Sequence, residues 1–290
     1  MSNSLHGIGR TLPHSVKAAV TLARSAMWLA RTRGHQECSG LRILLYHRIS
    51  DDNDPLALSP RRFRDQMAYL QDEGYRVVDL MEALELLRRR ALVGRAVVLT
   101  FDDGFADVAE EALPVLERHG FPATVFVTTG VTGGRVAFPW YDGRQPRVLG
   151  WDEVIDLDGR GTLRFEAHTV SHPSLLAVDD AAAATEIGES RRELAQRLGR
   201  PVSAFAYPAG LYGERERRFV AEAGYTAALS CEPGVNRPDS DPLALCRRQI
   251  DSHDRLLDFK AKLGGGHDTP LPLRSTYRRL RFGTPESSRA

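Results

Sequence analysis

The sequence predicts an α/β fold built as a closed parallel barrel, and three observations carry that prediction. From residue 41 onward, short apolar runs of β-type residues alternate with segments of helical periodicity. The alternation recurs roughly seven times in one rhythm, which favours a closed barrel over an open sheet. One run, Pro122 to Thr128, is apolar almost throughout, as a strand covered on both faces should be.

The elements follow in order. Leu41 to Tyr46 reads as a strand, and Arg61 to Glu73 as a helix with Phe63, Met67 and Leu70 on one face. Asp79 is placed to cap a helix running to about Arg89. Ala96 to Phe101 is the next strand and Ala106 to His119 the next helix, closed by Gly120. After the strand at 122–128 come a short helix from Asp152 to Leu157, a strand from Thr162 to Ala167 and a long helix from Asp179 to Leu198. Val202 to Tyr207, Glu214 to Ala223 and Thr226 to Leu229 continue the pattern, and Leu243 to Ile250 with Leu256 to Leu263 complete it. The barrel domain is therefore expected over residues 41–263. Gly264-Gly265-Gly266 ends it, and a basic tail over 264–290, with Arg274, Arg278, Arg279 and Arg281, is expected to be loosely attached.

Residues 1–40 read as an amphipathic helical extension. Lys17, Arg24 and Arg31 recur every seventh residue, and Val16, Val20, Ala23, Met27 and Ala30 form an apolar stripe. The longest apolar run, Ala18 to Ala23, holds a threonine and stops at Arg24, short of the ~7–15-residue core of a secretory signal. No segment approaches the ~18 apolar residues of a membrane span. Packing on the main domain is the plainer expectation for this helix, and peripheral attachment to a membrane surface the sharper one. A cytoplasmic location, membrane-peripheral in the sharper case, follows.

Composition narrows the function classes. The 290 residues, 42% hydrophobic and 27% charged, suit an ordinary globular protein. A net charge of +1 gives no support to nucleic-acid binding. Cys38, Cys231 and Cys246 show no paired metal spacing, and their odd number argues against a disulfide framework and for a reducing compartment.

The chemistry concentrates where strands end, which in a parallel barrel is the reactive face. Asp102 and Asp103 stand on a glycine turn after one strand, and His168 and His172 lie four residues apart after another. In a helical turn both rings would face one ion. With one aspartate they would make a His-His-Asp site of catalytic-zinc type, with a position left open for water. The other aspartate is then available as a general base. Alone, an Asp-Asp-Gly is an ordinary solvated turn and two histidines at that spacing are ordinary surface residues. Their joint placement makes a metal-assisted hydrolase the leading reading.

These residues also carry a resemblance. Thr-Phe-Asp-Asp-Gly at 100–104, His-Thr-Val-Ser-His-Pro at 168–173 and Phe-Ala-Tyr-Pro-Ala-Gly at 205–210 resemble the motifs of the polysaccharide deacetylases, carbohydrate esterase family 4. Leu-Tyr-His-Arg at 45–48 and the run at 113–127 are similar to its bacterial members, so the resemblance spans roughly 41–263. It implies a distorted (β/α)7-type barrel that removes acetyl groups from N-acetylated amino sugars with a divalent metal, zinc by default. By motif position Asp102 would be the base, and Asp103, His168 and His172 the metal ligands. A backbone N–H at Ala209 would help hold the oxyanion.

The third motif departs from the pattern. Ala206 stands where the family usually has an arginine that orients the base, so the cation beside Asp102 is left open among Arg48, Arg247 and Arg248. For the general acid, His253 is the best positional candidate, against a plain capping role. His47 is a candidate pocket residue, and Trp151 and Tyr207 are candidate sugar-stacking faces for which core packing is an equal explanation. The expected substrate is an N-acetylated saccharide or glycolipid. The alternatives are an O-acetyl carbohydrate esterase and a catalytically silent carbohydrate-binding barrel.

Overall fold

A computed structural model describes residues 14–32, 40–92, 95–141 and 144–268. Seven parallel strands make the barrel: β1 (Arg42–Tyr46), β2 (Ala96–Asp103), β3 (Ala123–Val127), β4 (Leu163–Ala167), β5 (Ala204–Ala206), β6 (Ala227–Leu229) and β7 (Arg248–Gln249). Their order is β7-β1-β2-β3-β4-β5-β6, and a short strand at Arg76–Val77 pairs with the start of β2. The seventh strand closes the ring only loosely. Leu245 bridges Leu229 on β6, and three residues later Arg248 pairs with Leu44 on β1. One short segment must therefore cross between the two sheet edges. For that reason the strand expected over 243–250 shrinks to two residues and the barrel is distorted.

The helices follow from local chemistry. Helix α2 (Pro60–Asp72) starts at Ser59, whose hydroxyl accepts from the Arg62 amide, and buries Phe63, Met67 and Leu70. Asp79 caps α3 (Leu80–Arg88) by accepting from the Met81 and Glu82 amides. The helix expected over 106–119 is not uniform. It opens as a π-helical turn at Val108–Ala112 and becomes α4 (Leu113–His119) only at Leu113, with Pro114 in its first turn. That proline has no N–H to return to Glu110, so the ordinary ladder cannot run through this point. Helices α5 (Trp151–Arg160), α6 (Asp180–Leu198), α7 (Glu214–Glu222) and α8 (Leu256–Leu263) complete the outer layer.

Helix α1 (His14–Thr32) packs along α8. Ser25 Oγ donates to Asp258 Oδ1 at 2.6 Å and lies 3.0 Å from His267 Nε2, all within protein. Trp28 fits against Gly264 and Gly266, where an added Cβ would come within 2.4 and 2.7 Å of the ring system. The start of the expected tail is likewise held. Asp268 accepts from Arg42 at 2.7 and 2.8 Å and from Arg248 at 3.1 Å. The remainder of the tail, including Arg274 to Arg281, lies outside the described residues, as does Cys38. Cys231 and Cys246 are not joined in a disulfide.

Candidate active site

Strand alternation places the chemistry. Side chains two apart share a face, and paired positions in the ladder align Ile43 with Val98 and Leu45 with Thr100. Continuing that row brings Asp102 onto the same face as Val98 and Thr100. The same period sets His168 in line with Glu166, and His47 with Ile43 and Leu45. Alanines at 204, 206 and 227 keep the neighbouring strands small. The strand expected to stop at Phe101 continues through Asp103, where φ turns to 75°. Gly104 follows at φ 74°, with no room for a side chain because a Cβ would lie 2.9 Å from Val127.

Three donors converge at this mouth. Asp103 Oδ1 lies 3.6 Å from His168 Nε2 and 3.7 Å from His172 Nε2, and one donor atom from each residue lies within 4.8 Å of the others. The two histidines do not share a helical turn, as their spacing suggested. They sit on a loop in which Thr169 and His172 adopt φ 66° and 57°. Glu186 of α6 clamps it, accepting from the Val170 and Ser171 amides at 2.8 and 2.9 Å and from the Ser171 hydroxyl at 2.6 Å. Among the described residues, four of the five non-glycine positions with positive φ (Asp103, Thr169, His172 and Ala209; the fifth is Arg90) lie in these strand-end segments. Such strain persists only where its surroundings enforce it.

The donors suit a divalent cation. His168 Nδ1 is 2.7 Å from the Ala206 carbonyl, so its proton is committed there and Nε2 presents a lone pair. Asp103 Oδ1 is buried without a hydrogen-bond partner. Burial, then the neighbouring Asp102 charge, push the Asp103 carboxyl well above its ordinary range, a penalty that a bound cation would remove. Burial lowers His168, and brings His172 to about 3, so both are neutral near pH 7, as ligands must be.

Asp102 is held differently. Arg247 grips it with two parallel bonds, Nη1 to Oδ1 at 2.7 Å and Nη2 to Oδ2 at 2.8 Å, and the arginine is wholly buried. Burial alone would raise the Asp102 carboxyl, but the Arg247 charge outweighs it and holds the group below its ordinary value. Arg247 is itself fixed by donating to the Ser230 carbonyl and by lying over the Phe126 ring. His47 ends β1 within electrostatic reach of Asp102, Arg247 and His168, and burial lowers it to about 4.

Comparison with known proteins matches residues 89–228 to the family model for polysaccharide deacetylase. Over that stretch the chain is similar to the polysaccharide deacetylases. YxkH of Bacillus subtilis strain 168, a polysaccharide deacetylase by name, is 28% identical over 211 residues, covering 72% of this chain and 71% of that one. The poly-β-1,6-N-acetyl-D-glucosamine N-deacetylase of Staphylococcus aureus is 24% identical over 220 residues, 73% of each chain. Among solved structures, Streptococcus pyogenes deacetylase PplD, in complex with acetate, superposes with a TM-score of 0.66 at 27% identity over 74% of this chain and 94% of its own.

Against this family pattern, Arg247 answers the question that Ala206 raised. The cation on Asp102 comes from the segment entering β7. Of the adjacent arginines 247 and 248, the first turns into the barrel and the second turns out to Asp268 and the His267 carbonyl.

Other expected site residues lie elsewhere. His253 is 3.2 Å from Thr21 Oγ1 on α1 and belongs to a group with Asp251 and Asp254. The Lys262 ammonium is already paired with both carboxylates of that group, at 2.7 Å from Asp251 and 2.5 Å from Asp254. Trp151 packs on the core under Arg197. Tyr207 is fully buried, its hydroxyl donates to the Leu243 carbonyl, and its ring stacks on Tyr212. Core packing accounts for both aromatics. Ala209 is exposed on the turn after β5, at φ 53°.

The exposed aromatic beside this donor cluster is Trp140. It is 40% accessible, with its ring 4.7 Å from that of His172 and stacked on Phe138. Sequence reasoning passed over Trp140 and Glu186. The sole available signals were an aromatic cluster at 138–141 and one carboxylate in an otherwise unremarkable helix.

Proposed function

We propose that this chain is a metal-dependent N-deacetylase acting on N-acetylglucosamine units of a polysaccharide or glycoconjugate. One observation carries the reading: three neutral or cation-seeking donors meet at the barrel mouth beside a second carboxylate kept ionised by a buried arginine. A bound divalent cation would be held by Asp103, His168 and His172, and zinc suits such a mixed imidazole and carboxylate set. When bound, it supplies acidification of water and polarisation of the acyl carbonyl.

The chain's own groups do the rest. Asp102 takes the proton from the attacking water, and the two-pronged Arg247 contact fixes which way its oxygens point. The Ala209 amide would donate to the developing oxyanion. His47, rather than His253, is the imidazole near the reacting centre that is not among the three clustered donors. Burial keeps it neutral at rest, so it would serve as a relay, accepting the proton that Asp102 took from the attacking water and passing it to the departing amine. Trp140 offers an exposed ring on which a pyranose can stack.

The name of the Staphylococcus aureus relative favours an amide over an ester substrate. Acetate release from β-1,6-N-acetylglucosamine oligomers, chitooligosaccharides and acetylated xylan, with and without chelator, tests the assignment. The expected result is chelator-sensitive release from the first two. Release from xylan alone would instead make the enzyme an O-acetyl esterase. In the same assay His47→Ala should lower kcat by ~10²-fold or more, while His253→Ala should turn over near the wild-type rate. The reverse ranking would return the proton-carrying role to His253.

A further inference from the structure

The face that α1 buries is not its apolar stripe. At 100° per residue, Val16, Val20, Ala23 and Met27 fall on one narrow ridge, whereas the residues that anchor the helix to α8 and its flanks, Thr21, Ser25 and Trp28, lie on the other side. The ridge is therefore exposed: Val16 is 40%, Val20 36% and Met27 47% accessible. Lys17, Arg24 and Arg31, each seven apart, form a row along one flank, and the 19-residue helix contains no aspartate or glutamate.

A water-facing helix with this pattern leaves apolar surface uncovered at a cost that a second medium would recover. The all-cationic flank specifies the charge of that medium. We propose that α1 is an interfacial helix that seats the protein on an anionic phospholipid surface, its apolar ridge entering the headgroup boundary and Lys17 and Arg31 of its cationic flank lying against lipid phosphates. The helix is not long and apolar enough to span a bilayer, so the attachment is peripheral. Its anchorage points the same way. Ser25, Trp28 and Thr21 fix it rigidly to the barrel wall, with its first turns beside Ser252 and His253 in the loop after β7. Docking through α1 would thus hold that wall of the barrel at a set position relative to the membrane.

Flotation of the full chain with vesicles tests this. The full chain should float with vesicles of equimolar phosphatidylcholine and phosphatidylglycerol, and at least tenfold less with phosphatidylcholine alone. The double variant Val20→Glu with Met27→Glu should lose flotation while keeping the wild-type thermal midpoint and acetate release. Both positions are exposed, so a folding defect is not expected, and Lys17→Glu with Arg31→Glu provides an independent variant through the charge. Absence of wild-type flotation would overturn the proposal. So would flotation unchanged in both variants, which would assign lipid binding to another basic segment. A wild-type dimer abolished by Val20→Glu with Met27→Glu, without vesicle binding, would overturn it by showing that a second copy covers the ridge.

Discussion

Asp102→Asn will abolish acetate release while leaving the divalent ion in place. The substitution keeps the shape of the side chain and removes its basicity, and a positioned general base contributes typically 10²–10⁴-fold. A loss of at least ~10³-fold in kcat is expected, with little change in KM, because Asp102 acts on the attacking water rather than on the sugar. Metal content measured on the same preparation should match wild type, since Asp102 Oδ2 stands off His168 at 3.9 Å while Asp103 is the carboxylate between the two rings. Loss of the ion from this variant would mean that the two aspartates have exchanged roles.

Arg247→Met should have the second-largest effect, through Asp102. With the guanidinium gone, burial becomes the dominant influence on Asp102 and drives its carboxyl toward the protonated form, silencing the base. Removing one partner of a buried pair costs ~3–5 kcal/mol when the other stays charged, and protonation of Asp102 limits that loss. The expected signature is therefore a kcat lowered by ~10²-fold or more with modest loss of thermal stability. Arg247→Lys should recover only part of the rate, because an ammonium gives one point contact where the arginine gives a fork. A wild-type kcat in Arg247→Met would show that the pair is structural only.

What could be read from the sequence divides along physical lines. The outer helices were legible because their signals are local: Asp79 caps where its carboxylate meets two free amides, and α8 spans the stretch its periodicity marked. The aspartates and histidines at 102, 103, 168 and 172 were legible because each follows an apolar strand. Arg247 was only one of three candidates, since it meets Asp102 across 145 residues and no local pattern encodes such a pairing. The loop from 168 to 172 was misread as a helical turn because its conformation is imposed by Glu186 from another element. His253 was placed by chain order alone, and order does not distinguish the barrel mouth from the wall against which α1 lies.

The proposed chemistry requires Asp103, His168 and His172 to act as one cation site beside Asp102. Equilibrium zinc titration followed by calorimetry, on the metal-stripped wild-type chain and on Asp102→Asn and Asp103→Ala, measures this directly. One tight equivalent is predicted for wild type and for Asp102→Asn, and none for Asp103→Ala. Equal binding by all three proteins, or none by any of them, would contradict it.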